Sequence, residues 1–368
     1  MTASGASPPA GPAPPPHARR RRPAMRWIVH IVLFIGLAVG VFGLLPRLGG
    51  LTRDAADLRH ARPGFVVAAV IAQAISLGCY ALLYRRVLAS LGARLPAGMA
   101  VRVTLASFLV SHVTPFGSAT GTLLNVSTLE AEGIAAATTG EAIGLTSLVS
   151  TLALIALFGA GFAATAGRHL SSGYLTIAGV ALVLVALVLA LALLVGAHPG
   201  IAERAGRKAA RLARRIRPSI DPDNTAQASR RLATLARSAL TGRAFLSSFG
   251  FASADLLFDL LSLDLVFLAL RYQPGFGPLA VAYAAANIAS AIPLTPGGLG
   301  VIEVTLVAVT VGFGAPRDTA VLAVLGYRIV NYWLPLIPGT VAYIRLRLRE
   351  AASGKTKPET AKSDRPVT

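Results

Sequence analysis

An all-α, polytopic integral membrane helix bundle is what this sequence predicts, built as two inverted units that each carry a re-entrant or broken helix pair. Three observations carry that prediction. The chain is 54% hydrophobic and only 14% charged, with a mean hydropathy of +0.64, too apolar for a soluble domain of 368 residues. Its apolar residues gather into runs, several of which reach the roughly 20 residues that cross a hydrocarbon core. Two knots of helix breakers, one near residue 115 and one near 296, interrupt those runs in similar contexts.

Residues 1–26 are rich in Pro, Ala and Gly and end in Arg19, Arg20, Arg21 and Arg22, which reads as a disordered basic cytoplasmic arm. Run 27–45 is long for a signal peptide and lacks a small-residue cleavage site, so it is expected to be the first transmembrane helix. Run 65–83 crosses back, with Arg85, Arg86 and Arg94 marking the inside. The intervening link 46–63 is mildly basic and sits outside in this scheme. A shorter helix over 97–110 then runs into the first knot, Ser111 to Gly121.

Long apolar helices are predicted over 135–166, 174–195, 244–270 and 319–345. The basic loop 197–243 separates the last two from the rest. Its arginines and small apolar residues alternate at helical spacing until Pro218 and Pro222 intervene, giving an amphipathic helix and a second short piece on the cytoplasmic headgroups. Residues 27–349 thus form one transmembrane domain, followed by a polar cytoplasmic tail, 350–368.

Proline without an N–H and loosely held glycine cannot continue a helix, and broken backbone at membrane depth is tolerated only inside protein or along a wet cavity. Laying Thr114, Pro115 and Gly117 on Thr295, Pro296 and Gly298 also sets Gly133 on Gly314 without a gap. Gly297 and Gly300 complete the second knot. Counting charges inward from the basic segments has the first knot entered and left from the cytoplasm, the second from outside. Two related units of opposite orientation are the signature of transporters whose sites lie near the midplane.

The +19 net charge is concentrated in 19–26, 203–243 and 345–365, each at the end of an apolar run. That placement fits contact with an anionic membrane surface through the 197–243 loop rather than nucleic acid. A single cysteine, Cys79, excludes an internal disulfide framework, and the six histidines sit singly, so neither a metal nor a cofactor is expected. Gly297–Gly300 lacks a dinucleotide fingerprint, no nucleotide-pump motif occurs, and no catalytic triad assembles.

Polar groups at membrane depth are site candidates. Asp255 and Asp259, four apart, share a helix face, where they would meet a protonated amine, a cation or Arg328, or trade a proton. Arg328 suits a phosphate. Glu303 either pairs with Arg328 to hold two helices together or answers a cationic headgroup, and Asn331 lies one turn beyond the arginine. Tyr327, Tyr332 and Trp333 read as an interface belt, and His112 as a helix-end hydrogen bonder. Glu141 is the charged residue of the first long helix.

The run from Leu294 to Glu303, then Tyr327, Arg328, Tyr332, Trp333, Pro335, Pro338 and Gly339, resembles the C-terminal signature of the lysylphosphatidylglycerol synthase transmembrane region, or flippase-like, family of bacteria. The resemblance covers most of the chain from about residue 26 to 349, its first unit being similar to a divergent branch. It implies an inverted, partly re-entrant bundle that moves an aminoacylated phospholipid between leaflets, with Pro296, Gly297, Gly298, Gly300, Glu303, Arg328 and Pro335 at the family's positions. Ser147 stands at the repeat position of Arg328, and no aminoacyl-transferase domain follows Arg349, so lipid synthesis is not implied.

The expectation is therefore a non-enzymatic protein of the bacterial cytoplasmic membrane, both termini cytoplasmic, of about seven to eight helical segments. It would translocate a phospholipid or lipid-linked substrate, with self-association left open. A scaffold or regulator of an envelope enzyme, and an intramembrane transferase, are the competing functions.

Overall fold

The computed structural model describes residues 62–114, 117–165, 199–214, 221–239, 243–290 and 295–352. The expected basic arm, the helices over 27–45 and 174–195, Pro115 and most of the polar tail lie outside the described residues. Those described are helical and contain no strand. In chain order they form α1 (Pro63–Ser90), α2 (Ala97–Val113), α3 (Gly117–Ala131), α4 (Ala136–Thr165), α5 (Pro199–Ala213), α6 (Pro222–Ala239), α7 (Arg243–Ala269) and α8 (Phe276–Ser290). A 3₁₀ turn (Pro296–Gly298), α9 (Val301–Gly312), α10 (Arg317–Arg328), a π turn (Ile329–Trp333) and α11 (Leu336–Ala352) complete them.

α1, α4 and the continuous run Arg317–Arg349 are long and apolar enough to cross a membrane. Their outer faces keep large apolar side chains exposed, among them Val67, Ile71, Ile337 and Leu348. A bundle greasy on its outside suits lipid rather than water as solvent.

Each expected break resolves into a hairpin. α2 and α3, of 17 and 15 residues, pack on one another across the first, and α8 and α9, of 15 and 12, across the second. At 1.5 Å per residue these arms are about 18–26 Å long, short of a core of about 30 Å. The same order of elements therefore occurs twice: long helix, hairpin, long helix. The exits of both hairpins match as well, since Gly133 and Gly314 follow their arms in left-handed backbone, φ 86° and 94°. In each, the next N–H reaches back to the carbonyl of Leu129 or Thr310.

The first helices of the two sets, α1 and α7, lie antiparallel along their length. The Arg62 N–H donates to Ala269 O at 3.1 Å, Ser76 Oγ to Asp255 Oδ1 at 2.7 Å, and Arg86 Nε to Ser247 Oγ at 2.9 Å. The last helices cross over: α4 packs on α8 of the second hairpin, and α11 on α2 of the first. Small residues allow the α4–α8 approach, as membrane helices require. A Cβ on Gly161 would lie 2.7 Å from that of Ala280 and 3.2 Å from the Gly277 carbonyl. Gly161→Val is expected to cost about 1–3 kcal/mol by overpacking, read as a lower unfolding midpoint in detergent micelles.

Two apolar cores follow this plan. One surrounds α2–α3 with Leu83, Leu88, Leu145 and Leu346, the other surrounds α8–α9 with Phe158, Leu263, Phe267 and Val324. A small third cluster, Leu299 and Tyr332 with Val113, joins the two breaks. The basic loop forms a helical hairpin of its own, α5 on α6, and α6 touches α4. Ion pairs of Glu203 with Arg230 and of Arg207 with Asp223 tie the two arms.

Candidate functional site

The second break is built around a buried ion pair. After the 3₁₀ turn the chain re-enters a helix at Val301, with Gly297, Gly298 and Gly300 in left-handed backbone at φ 59°, 67° and 86°. Thr295 Oγ1 spans the turn by donating to Leu299 O at 2.7 Å. Glu303, on the first turn of α9, accepts the Gly300 N–H on Oε2 at 2.6 Å. Its other oxygen accepts Arg328 Nε at 2.6 Å. Arg328 also donates Nη2 to Gly297 O at 3.2 Å and Nη1 to Asn331 Oδ1 at 3.5 Å, and its guanidinium lies 4.5 Å from the Tyr332 ring centre. Arg328 is 2% exposed and Glu303 fully buried, so the pair holds the break to α10.

The π turn is what brings Asn331 into play. Pro335 has no N–H for the Asn331 carbonyl, and the ladder widens so that the Leu334 N–H bonds Ile329 O at 2.9 Å. The widened turn aims Asn331 Nδ2 at Asp259 Oδ1, 2.8 Å away. Tyr327 donates to the same oxygen at 2.9 Å and Tyr283 to Oδ2 at 2.7 Å, with Gln73 alongside. Asp259 is thus a carboxylate fixed by three donors from α8, α10 and the π turn. Asp255, one turn earlier on α7, is met by Ser76 alone.

Both aspartates and Asn331 line a cavity of about 450 Å³ between α1, α2, α3, α4 and α7. Its other walls mix polar groups, Tyr80 and Tyr84 from α1, Thr104 and Ser107 from α2, Asn125 from α3 and Ser147 from α4, with the apolar Leu77, Phe108 and Ile143. Tyr84 Oη donates to Asn125 Oδ1 at 2.9 Å. Gln73 Oε1, Thr104 Oγ1 and Ser107 Oγ are buried there without a hydrogen-bond partner. No lysine or arginine is among the lining residues.

The first break touches the second. Thr114 Oγ1 donates to Val110 O at 2.6 Å and lies 2.9 Å from Thr120 Oγ1, closing the turn before Gly117 opens α3 against the Ser111 carbonyl. The His112 ring stacks on Phe108 with centroids 3.8 Å apart and takes Tyr332 edge-on at 5.0 Å. Tyr332 Oη donates to His112 O at 3.0 Å.

The expected residues therefore divide in two. Asp255, Asp259 and Asn331 stand on the cavity wall, while Arg328 and Glu303 stand behind it, joined to it through Asn331. Tyr327 and Tyr332 are buried hydrogen-bond donors, to Asp259 and to the His112 carbonyl, rather than an interface belt. Gln73, Ser76, Tyr283, Tyr84 and Asn125 were not anticipated. Gln73, Ser76, Tyr80 and Tyr84 recur at helical spacing on one face of α1, a polar stripe legible in the sequence. Among the described residues no group of His, Cys, Asp or Glu is placed to hold a metal.

The model of a family described as the lysylphosphatidylglycerol synthase TM region matches residues 27–339. Shorter stretches resemble curated proteins: a UPF0104 membrane protein of Methanothermobacter thermautotrophicus, 31% identical over 23% of this chain and 25% of that one; the UPF0104 membrane protein MJ1595 of Methanocaldococcus jannaschii, 30% identical over 27% and 30%; and the inner membrane protein YbhN of Escherichia coli, 33% identical over 16% and 19%. These matches span about a fifth to a third of each relative's length.

Proposed function

Because the chain belongs to the lysylphosphatidylglycerol synthase transmembrane region family, we propose that this membrane protein translocates a polar phospholipid or lipid-linked molecule between leaflets, taking the headgroup into the cavity and leaving the tails in the bilayer. The observation that carries the reading is the cavity itself. Hydroxyls, amides and two carboxylates line a space inside an apolar bundle, three of the buried oxygens unpartnered. Burying such groups without partners is costly, so the space suits a polar occupant. Its acceptor-rich, cation-free wall favours the ammonium end of a headgroup over its phosphate, which gives Arg328 a role as a clasp on the break rather than a phosphate ligand.

The reading as inverted units draws support from the antiparallel α1–α7 pair, the repeated hairpins and the crossed packing of α4 and α11. A bacterial cytoplasmic membrane location with cytoplasmic termini draws on charge. The end of α1 meets the start of α7 at Arg86 and Ser247, the α5–α6 hairpin borders the start of α4 at Glu141, and α11 ends in Arg345, Arg347 and Arg349. That basic end would face the cytoplasm and its anionic headgroups.

Purified protein in liposomes, with acyl-labelled phosphatidylethanolamine or phosphatidylglycerol and an impermeant quencher, tests this. Wild type is expected to move the amine lipid. Thr104→Leu with Ser107→Leu, which fills the cavity, is expected to slow movement at least about tenfold, a barrier rise of about 1.4 kcal/mol. If neither lipid moves with wild type, the translocation reading fails and the scaffold reading replaces it.

A further inference from the structure

We propose that Asp255 is an exchange site, holding either a proton or the cationic end of the lipid headgroup, so that each headgroup moving one way is matched by a proton moving the other. This rests on the translocation reading above and adds to it a source of energy.

The two aspartates of α7 differ in how they are held. Asp259 has both oxygens occupied, Oδ2 by Tyr283 and Oδ1 by Tyr327 and Asn331. It is a fixed part of the wall. Asp255 accepts one hydrogen bond, from Ser76, and faces the cavity. Lining the same cavity, the buried Gln73 Oε1 of α1 and Thr104 Oγ1 of α2 have no partner, an acceptor and a hydroxyl available to an N–H-bearing guest.

The groups that face Asp255 leave the exchange to it. From its own helix there is Asp259; from α1, Cys79, Tyr80 and Tyr84; from α2, His112; from α8, Tyr283; from α10, Tyr327. The His112 ring is engaged by the Phe108 carbonyl at 2.8 Å and stacked on the Phe108 ring. Arg328, the cation nearest the cavity on this network, is neutralised by Glu303. Two carboxylates one turn apart in an apolar bundle repel one another unless a proton or a cation stands between them. When an ammonium settles on Asp255, its O–H bond breaks and the proton passes to water in the cavity. When the headgroup departs on the opposite side, a proton from that side re-forms the O–H bond, so charge balances at the carboxylate, while a zwitterionic lipid's full cycle moves one net positive charge, that of the proton.

The test is uphill transport in proteoliposomes carrying acyl-labelled phosphatidylethanolamine. With one lipid exchanged per proton and the membrane potential clamped near zero by equal potassium and valinomycin, a pH difference of about one unit is expected to skew the lipid about tenfold across the bilayer, the ratio equivalent to 1.36 kcal/mol. Asp255→Asn is expected to abolish the skew, and Asp255→Glu to retain it. Wild type that moves the lipid to an even distribution at every gradient leaves translocation standing and overturns the exchange. Skew that survives in Asp255→Asn also overturns it. Wild type that moves no lipid overturns both. Because Asp255→Asn can fail to fold, proton release is read separately on detergent-purified wild type. Short-chain phosphatidylethanolamine added in weak buffer should release about one proton per bound lipid, and release of none contradicts the proposal.

Discussion

Arg328→Met alone is expected to lower folding stability by about 3–5 kcal/mol, the usual cost of stranding one partner of a buried ion pair. Glu303 is fully buried, and its carboxylate would keep only the Gly300 N–H. The Gly297 carbonyl and Asn331 Oδ1 would lose a donor in the same step. Arg328→Lys is not a rescue, because an ammonium cannot serve Glu303, Gly297 and Asn331 from one planar fork. Pairing Arg328→Met with Glu303→Leu removes both charges and is expected to recover a large part of the loss. Reversible unfolding in mixed micelles measures each variant. A single Arg328→Met that unfolds like wild type would show that the pair does not hold the second break.

Gly297→Ala is expected to destabilise the fold by about 2–5 kcal/mol. Left-handed backbone costs a residue with a Cβ about 1–2 kcal/mol, and the new methyl would overlap the Tyr332 ring and lie 2.8 Å from His112 Cδ2, an overpacking of about 1–3 kcal/mol. Gly300→Ala provides the control. Its φ is 86°, yet nothing lies within 4 Å of the added carbon, so only the backbone cost applies. The difference between the two variants isolates contact between the breaks, because His112 belongs to the first hairpin and Tyr332 to the helix after the second. Equal unfolding midpoints for Gly297→Ala and Gly300→Ala would deny that contact any energetic weight.

The helices were legible because membrane helices are written as apolar runs with charged ends. α4 and α7 begin and end within one residue of the expected spans, α1 runs on from the expected end at 83 to Ser90, and the Gly133–Gly314 register reappears as matched turns at the two hairpin exits. The breaks were legible from proline and glycine. The division of labour among the polar residues was not. Asp255 and Asp259 share a face in sequence, but that Asp259 is tied down by Tyr283 and Tyr327 depends on which faces of α8 and α10 turn inward. Periodicity cannot set that for helices apolar on every side. The π turn rests on Pro335, whose missing N–H is visible in the sequence, although the direction in which the loosened carbonyls turn is a tertiary outcome. The stripe of Gln73, Ser76, Tyr80 and Tyr84 is legible, because its helical spacing stands out in an otherwise apolar run.

The most direct test of two oppositely inserted hairpins meeting in the membrane uses one thiol at each hairpin exit. In a Cys79→Ser background, Glu132→Cys and Arg317→Cys are made separately, both at exposed positions, and treated with an impermeant maleimide in intact and in permeabilised cells. The account predicts labelling of Arg317→Cys in intact cells and of Glu132→Cys only after permeabilisation. Labelling of both from the same side would contradict it.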